Sequence, residues 1–258
     1  MDVIAIDWSG RATRAEEHIW LAVARDGVLV ELENGFTRDA VIDEVLRRGR
    51  RGDELVVGLD FAFSVPAWWC ADRGWATGRD VWRGIDAEGE DLLAACASPF
   101  WGRPGTTAQT AGAPLRRDEV GAGAKSVFQI GGAGAVGTGS IRGMPQLLRL
   151  AEAGVAIWPF DPPGRATAVE IYPRLMTGPV AKSRHRARRA HLAAGFGAAD
   201  ASPAQDPVLL ERAAGSEDAF DAAVSALVMA RHLAAPGDLP TVDDPVARIE
   251  GGIWRPGR

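Results

Sequence analysis

The chain contains two continuous apolar runs that each end on an aspartate. Val3-Ile4-Ala5-Ile6 runs into Asp7, and Leu55-Val56-Val57-Gly58-Leu59 runs into Asp60. Unbroken apolar runs of this length mark strands covered on both faces, as in a parallel sheet flanked by helices. A carboxylate at the end of such a strand is costly to bury unless something pairs with it. The carboxyl ends of parallel strands line the ligand crevice of open α/β sheets, so both acids fall where a site forms. Each acid taken alone also reads as a residue that merely caps or turns the chain.

The rest of the chain fits around these two strands. Residues 18–24 and 28–32 read as two more strands, joined through Asp26-Gly27, a strong hairpin signal. Thr37 reads as the N-cap of a helix whose Ala40, Val41, Val45 and Leu46 recur at helical spacing and which ends in the basic, glycine-bearing stretch 47–52. From 61 to 125 the periodicity breaks down in a stretch rich in Gly, Pro and charge that carries Trp68, Trp69, Trp75, Trp82 and Trp101. So much tryptophan argues for a packed insertion or lid, because a solvated linker is poor in aromatics. A glycine-rich loop at 131–140 precedes an amphipathic helix over 144–153. Residues 155–160 and 167–172 read as strands with DPPGRA as the turn between them. A basic, alanine-rich helix follows over 182–194, and a long helix runs from Ser216 to about Leu233. The expectation is one α/β domain over residues 1–258. Its mixed central sheet has three antiparallel strands followed by parallel ones, flanked by helices, with 61–125 inserted after the fourth strand.

Composition narrows the function. The net charge of −5 provides no global basic field for nucleic acid, so any such binding needs a local patch. Cys70 and Cys96 sit in unrelated contexts and read as reduced thiols of a cytoplasmic protein. No run approaches the roughly 18 apolar residues of a membrane span, and the first residues lack the order of a signal peptide.

The last long helix supplies two further acids, Asp218 and Asp221, at i and i+3 on one face. Asp221 borders the apolar stripe Phe220, Val224, Leu227 and Val228. Glu217 and Asp218 lie in the first turn, where the helix dipole favours acids whatever their function. Acids gathered at one sheet edge repel one another unless a cation sits among them, and such oxygen-rich clusters suit Mg2+ or Mn2+.

Several stretches together resemble a known group. The strand and helix order is similar to the ribonuclease H-like layout, and DAFDAAVSALVMA (218–230) resembles the D-x-x-D-A pattern of RuvC-type resolvases. IAIDWSG (4–10), GLDFAFS (58–64), KSVFQIGGAGAVGTGSIRG (125–143), IWPFD (157–161), VEIYPRL (169–175) and SEDAFDAAVSALV (216–228) resemble the domain of unknown function 429 family of predicted nucleases. The resemblance implies that Asp7, Asp60, Asp218 and Asp221 are the metal-binding and catalytic acids around Mg2+ or Mn2+, with Asp7 bridging. Asp60 departs from the glutamate that many RuvC-like nucleases place at the fourth strand. Glu170 is the additional candidate: it faces away from Val169 and Ile171, and either completes the cluster or lies on the solvated face of a hairpin. Two ions about 3.5–4 Å apart would clamp the attacking water and the leaving oxygen of a phosphodiester. Lys125, Arg142, and Lys182 with Arg184 in the basic segment 182–191 are the candidate substrate contacts, with DNA or RNA as the partner. That basic segment reads equally as a solvated helix face.

Other signals are weaker. GAGAKS at 121–126 does not meet the phosphate-loop pattern, and Gly132, Gly134 and Gly137 are poorly placed for a dinucleotide fingerprint. Two alternatives stand beside the hydrolase. One is an ATP- and Mg2+-binding protein of the actin and sugar-kinase type, loosely suggested by D-W-S-G at 7–10. The other is a non-catalytic binding module that uses the tryptophans of 61–125.

Overall fold

A computed structural model describes residues 1–132, 134–196 and 204–257. Its centre is a six-stranded sheet in the order β3-β2-β1-β4-β6-β5. The strands are β1 (Asp2–Asp7), β2 (Trp20–Arg25), β3 (Val28–Asn34), β4 (Leu55–Leu59), β5 (Ala156–Ile157) and β6 (Ala166–Glu170). β1, β2 and β3 pair antiparallel, while β4 lies parallel to β1 and to β6, and β5 lies parallel to β6. The β2–β3 hairpin closes through Asp26 and Gly27, which both have positive φ (51° and 76°) as a two-residue primed turn requires.

The helices are α1 (Arg38–Gly49), α2 (Ala67–Asp72), α3 (Gly78–Ala95), α4 (Gly137–Glu152), α5 (Pro173–Thr177), α6 (His185–Phe196), α7 (Pro207–Ala214), α8 (Glu217–His232) and α9 (Ala247–Glu250). Thr37 caps α1 by accepting the Ala40 N–H (3.2 Å), and Ser216 caps α8 by accepting the Ala219 N–H (3.0 Å). None of the described helices is long and apolar enough to cross a membrane.

Strand alternation divides the core into two layers. Ile4, Ile6, Val57, Leu59 and Ala168 face α1, α3 and α4, where Val41, Trp82, Ile85, Ile141 and Leu147 are buried. Val3, Ala5, Val56 and Val169 face α8, whose Phe220, Ala222, Ala223, Val224 and Leu227 fill the opposite layer. The small residues of α8 let it lie close on β1 and β2. Gly58 shows how close: a Cβ there would stand 2.7 Å from Met229 Sδ and 2.8 Å from Ile171 Cγ2.

Four differences from the sequence reading have physical causes. The stretch 61–125 contains the 18-residue helix α3, capped by Thr77 and packed against α4, with Trp69 and Trp82 buried. Gly84 and Gly89 interrupt its apolar pattern because neighbours crowd it: a Cβ at Gly84 would stand 2.2 Å from Trp75, and one at Gly89 2.9 Å from Ile141. α4 begins at Gly137, inside the glycine-rich loop. β5 spans two residues because the chain turns back at once, Asp161 donating its N–H to Ile157 O (2.9 Å) and accepting the Ile157 N–H (3.0 Å). β5 and β6 are parallel neighbours, not the arms of a hairpin.

Candidate functional site

The same alternation places the acids. Asp7 continues the Val3, Ala5 face and Asp60 continues the Val56, Gly58 face, so both point toward α8 at the carboxyl ends of adjacent parallel strands. Asp221 lies one turn inside α8 and is buried, as is Asp7. Asp60 is half-buried at the wall of a cavity.

These three carboxylates share one electrostatic environment. Burial pushes the Asp7 carboxyl well above its usual range, and the charges of Asp60, Asp221 and Asp218 push it further. Asp60 is likewise raised well above its usual range, by burial and then by Asp221. Asp221 is raised by burial, although Lys182 opposes the shift. The Lys182 ammonium donates to Asp221 Oδ2 at 2.5 Å, and its charge also acts on Asp7 and Asp60. Asp221 Oδ1 is buried with no hydrogen-bond partner.

Lys182 sits on the loop before α6, held there by Arg188. The buried Arg188 guanidinium donates to Lys182 O, to Ala214 O (2.7 Å) and to Gly215 O (3.2 Å), tying this loop to the turn that leads into α8. Part of the basic segment is therefore structural. His185 and Arg189 pair with Glu211, and Arg184 is exposed.

The remaining candidates lie apart from this core. Asp218 is at the rim, partly exposed, with Oδ2 2.9 Å from His18 Nδ1. Glu170 alternates with Ala168 on the α3–α4 side of β6 and is buried there, which corrects the solvated-hairpin reading, while its charge still reaches Asp60. It is buried and held by Arg116, whose Nη1 donates to Oε2 (2.8 Å) and Nη2 to Oε1, while Phe63 N–H also donates to Oε2 (2.9 Å). Arg116 is buried too, and Glu119 Oε1 accepts from its Nε (2.9 Å). Arg142, read as a substrate contact, is engaged elsewhere. It pairs with Glu90 and donates to Gly10 O, holding the loop after β1 in place. Lys125 is exposed and lines the same cavity as Asp60.

Sequence reasoning missed His18, Arg116 and Arg188, which act across 200, 54 and 26 residues respectively, separations no local pattern encodes. It also missed Trp8 and Tyr172 as cavity walls, although both lie within stretches already singled out, IAIDWSG and VEIYPRL.

As a cation site the cluster fits in chemistry. The buried Asp7 and Asp221 and the half-buried Asp60 outnumber the single Lys182 ammonium, and Asp221 Oδ1 is an orphaned acceptor. In the arrangement described, Lys182 supplies the positive charge. Among the described residues, no three His, Cys, Asp or Glu side chains converge as a ready-made ligand set.

No protein-family model, curated protein or solved structure matches this chain.

Proposed function

We propose that the protein is a divalent-metal-dependent phosphodiester hydrolase, a nuclease, on a ribonuclease H-like fold. The observation that carries the reading is the electrostatic coupling of Asp7 with Asp60 and Asp221, three acids each raised by burial, at the ends of β1 and β4 and on α8. Perturbed carboxylates of this kind mark functional sites, because gathering more buried acids than the one lysine can pair costs stability. The strand order β3-β2-β1-β4-β6, antiparallel then parallel, supports the fold assignment.

Asp7, Asp60 and Asp221 would hold Mg2+ or Mn2+, with Asp218 at the rim. When bound, the ion supplies Lewis-acid polarisation of the phosphodiester and a water of lowered pKa. Lys182 keeps a positive charge beside the reacting phosphoryl oxygens. Arg142 and Arg38 hold the Ser9-Gly10 loop that borders the site, Arg38 Nε donating to Ser9 O at 3.0 Å.

The test is hydrolysis of bis(p-nitrophenyl) phosphate and of a fluorescently labelled single-stranded oligonucleotide, with Mn2+, with Mg2+ and with EDTA. Cleavage that requires the metal and is lost in Asp7→Asn and Asp221→Asn supports the reading. Cleavage undiminished in Asp7→Asn, or none of either substrate with either metal, overturns it.

A further inference from the structure

On the α4 side of the same sheet edge lies a cavity of about 220 Å3, walled in part by Trp8, Asp60, Phe61, Lys125, Thr138 and Tyr172. α4 opens on it without a side-chain cap, since its N-cap is Val136. The Gly137 N–H donates to Gln129 O and the Ser140 N–H to Val136 O, but those of Thr138 and Gly139 have no partner among the described residues. Two adjacent orphan donors at the positive end of a 16-residue helix favour an anion.

A second observation points the same way. Trp8 is only 8% exposed, and its Nε1 is buried without a hydrogen-bond partner. The indole edge that carries Nε1 faces the first turn of α4, with Cδ1 3.7 Å from where a Cβ on Gly139 would lie. Gly10 presses on the same turn so closely that its own Cβ would stand 2.3 Å from Gly139 N. Lys125 adds a full charge: it forms no ion pair with a described residue, and its aliphatic stem runs beside Gly134. Of the acids that line the cavity, Glu119 and Glu170 share the single charge of Arg116, and Asp60 lies within reach of the Lys182 charge.

The rest of the wall is aromatic. Trp8 and Phe61 stand 4.9 Å apart between ring centres, and Tyr172 donates its hydroxyl to Gly123 O (3.2 Å), fixing the Lys125 loop over the cavity. Aromatic faces accept bases of any identity by stacking. A cavity of about 220 Å3 is too small for a duplex.

Taking the hydrolase reading as its basis, we propose that this cavity seats one phosphorylated nucleotide unit of the substrate. The phosphate lies on the Thr138 and Gly139 N–H groups between the Trp8 edge and Lys125, and the base lies against the partly exposed Tyr172. The substrate class is then a mononucleotide or the phosphorylated end of a single strand, not the interior of a duplex.

The experiment is calorimetric titration in EDTA, which separates this site from the metal chemistry. The probes are AMP, a 5′-phosphorylated oligothymidylate and the same oligothymidylate without phosphate. Phosphorylated probes should bind about tenfold more tightly than the unphosphorylated one, and Lys125→Met and Trp8→Phe should each weaken that binding by a similar factor. Asp7→Asn should not weaken it. Tighter binding of the oligothymidylate than of AMP identifies a strand end, and the reverse a free nucleotide. Absence of binding, equal binding with and without phosphate, or no effect of Lys125→Met at an exposed position overturns the proposal. Binding as expected without metal-dependent cleavage leaves the cavity assigned and removes the hydrolase, and the converse separates them equally.

Discussion

The Lys182 ammonium stands 2.5 Å from Asp221 Oδ2, so the charge that offsets the buried acids comes from a side chain on a loop. Arg188 anchors that loop through the Lys182 carbonyl, and the acids it serves come from β1, the end of β4 and α8. Lysine and a divalent cation compete for the same oxygen. In metal-free protein Lys182→Met should lower stability by about 1–3 kcal/mol, the cost of an unsatisfied buried acceptor. The same variant should bind Mn2+ about tenfold more tightly, the equivalent of about 1.4 kcal/mol. Thermal melts in EDTA and Mn2+ calorimetry read the two effects.

Asp7 should behave oppositely to a stabilising acid. Its folded pKa lies above that of the unfolded chain, so the folded protein binds the extra proton. Stability in EDTA therefore falls as pH rises from the ordinary carboxylate range, about pH 4, up through the raised pKa. Asp7→Asn should remove much of this slope and stabilise the metal-free protein near pH 7 by about 0.5–2 kcal/mol. Melting temperature against pH for both proteins checks it.

Arg116 lies at the centre of a buried ion network with Glu119 and Glu170. Burial opposes its charge, yet the two glutamates hold it protonated and its pKa is raised. Arg116→Met leaves both carboxylates buried without their partner and should cost about 3–5 kcal/mol. Urea unfolding with an unchanged m-value would show that the loss is one of stability alone.

Gly10 packs against the first turn of α4 where no side chain fits. Gly10→Ala must push the loop after β1 away from Thr138 and Gly139, at about 1–3 kcal/mol. It should also weaken AMP binding in EDTA, because the displaced turn carries the two free N–H groups. Calorimetry and thermal melts check both effects.

The sheet edge was legible because β1 and β4 obey a period of two. Once Val3 and Ala5 face one helix layer, Asp7 must follow, and Val56 with Gly58 carries Asp60 the same way. The alternation also separated Glu170 from Val169 and Ile171, but which layer each set meets depends on α8 crossing the sheet, and sequence does not show that. Asp221 was legible as an acid beside an apolar stripe. Its partner was not, because Lys182 reads locally as one cation in a basic run. α3 escaped notice because Gly84 and Gly89 sit where Trp75 and Ile141 leave no room for a side chain, and those contacts form only in the folded chain.

The most direct test of the central claim is anomalous diffraction from crystals soaked in Mn2+. The expected result is a peak between Asp7, Asp60 and Asp221, with the Lys182 side chain moved off Asp221 Oδ2. A well-ordered cluster that shows no peak at saturating Mn2+, with Lys182 still on Asp221, would contradict it.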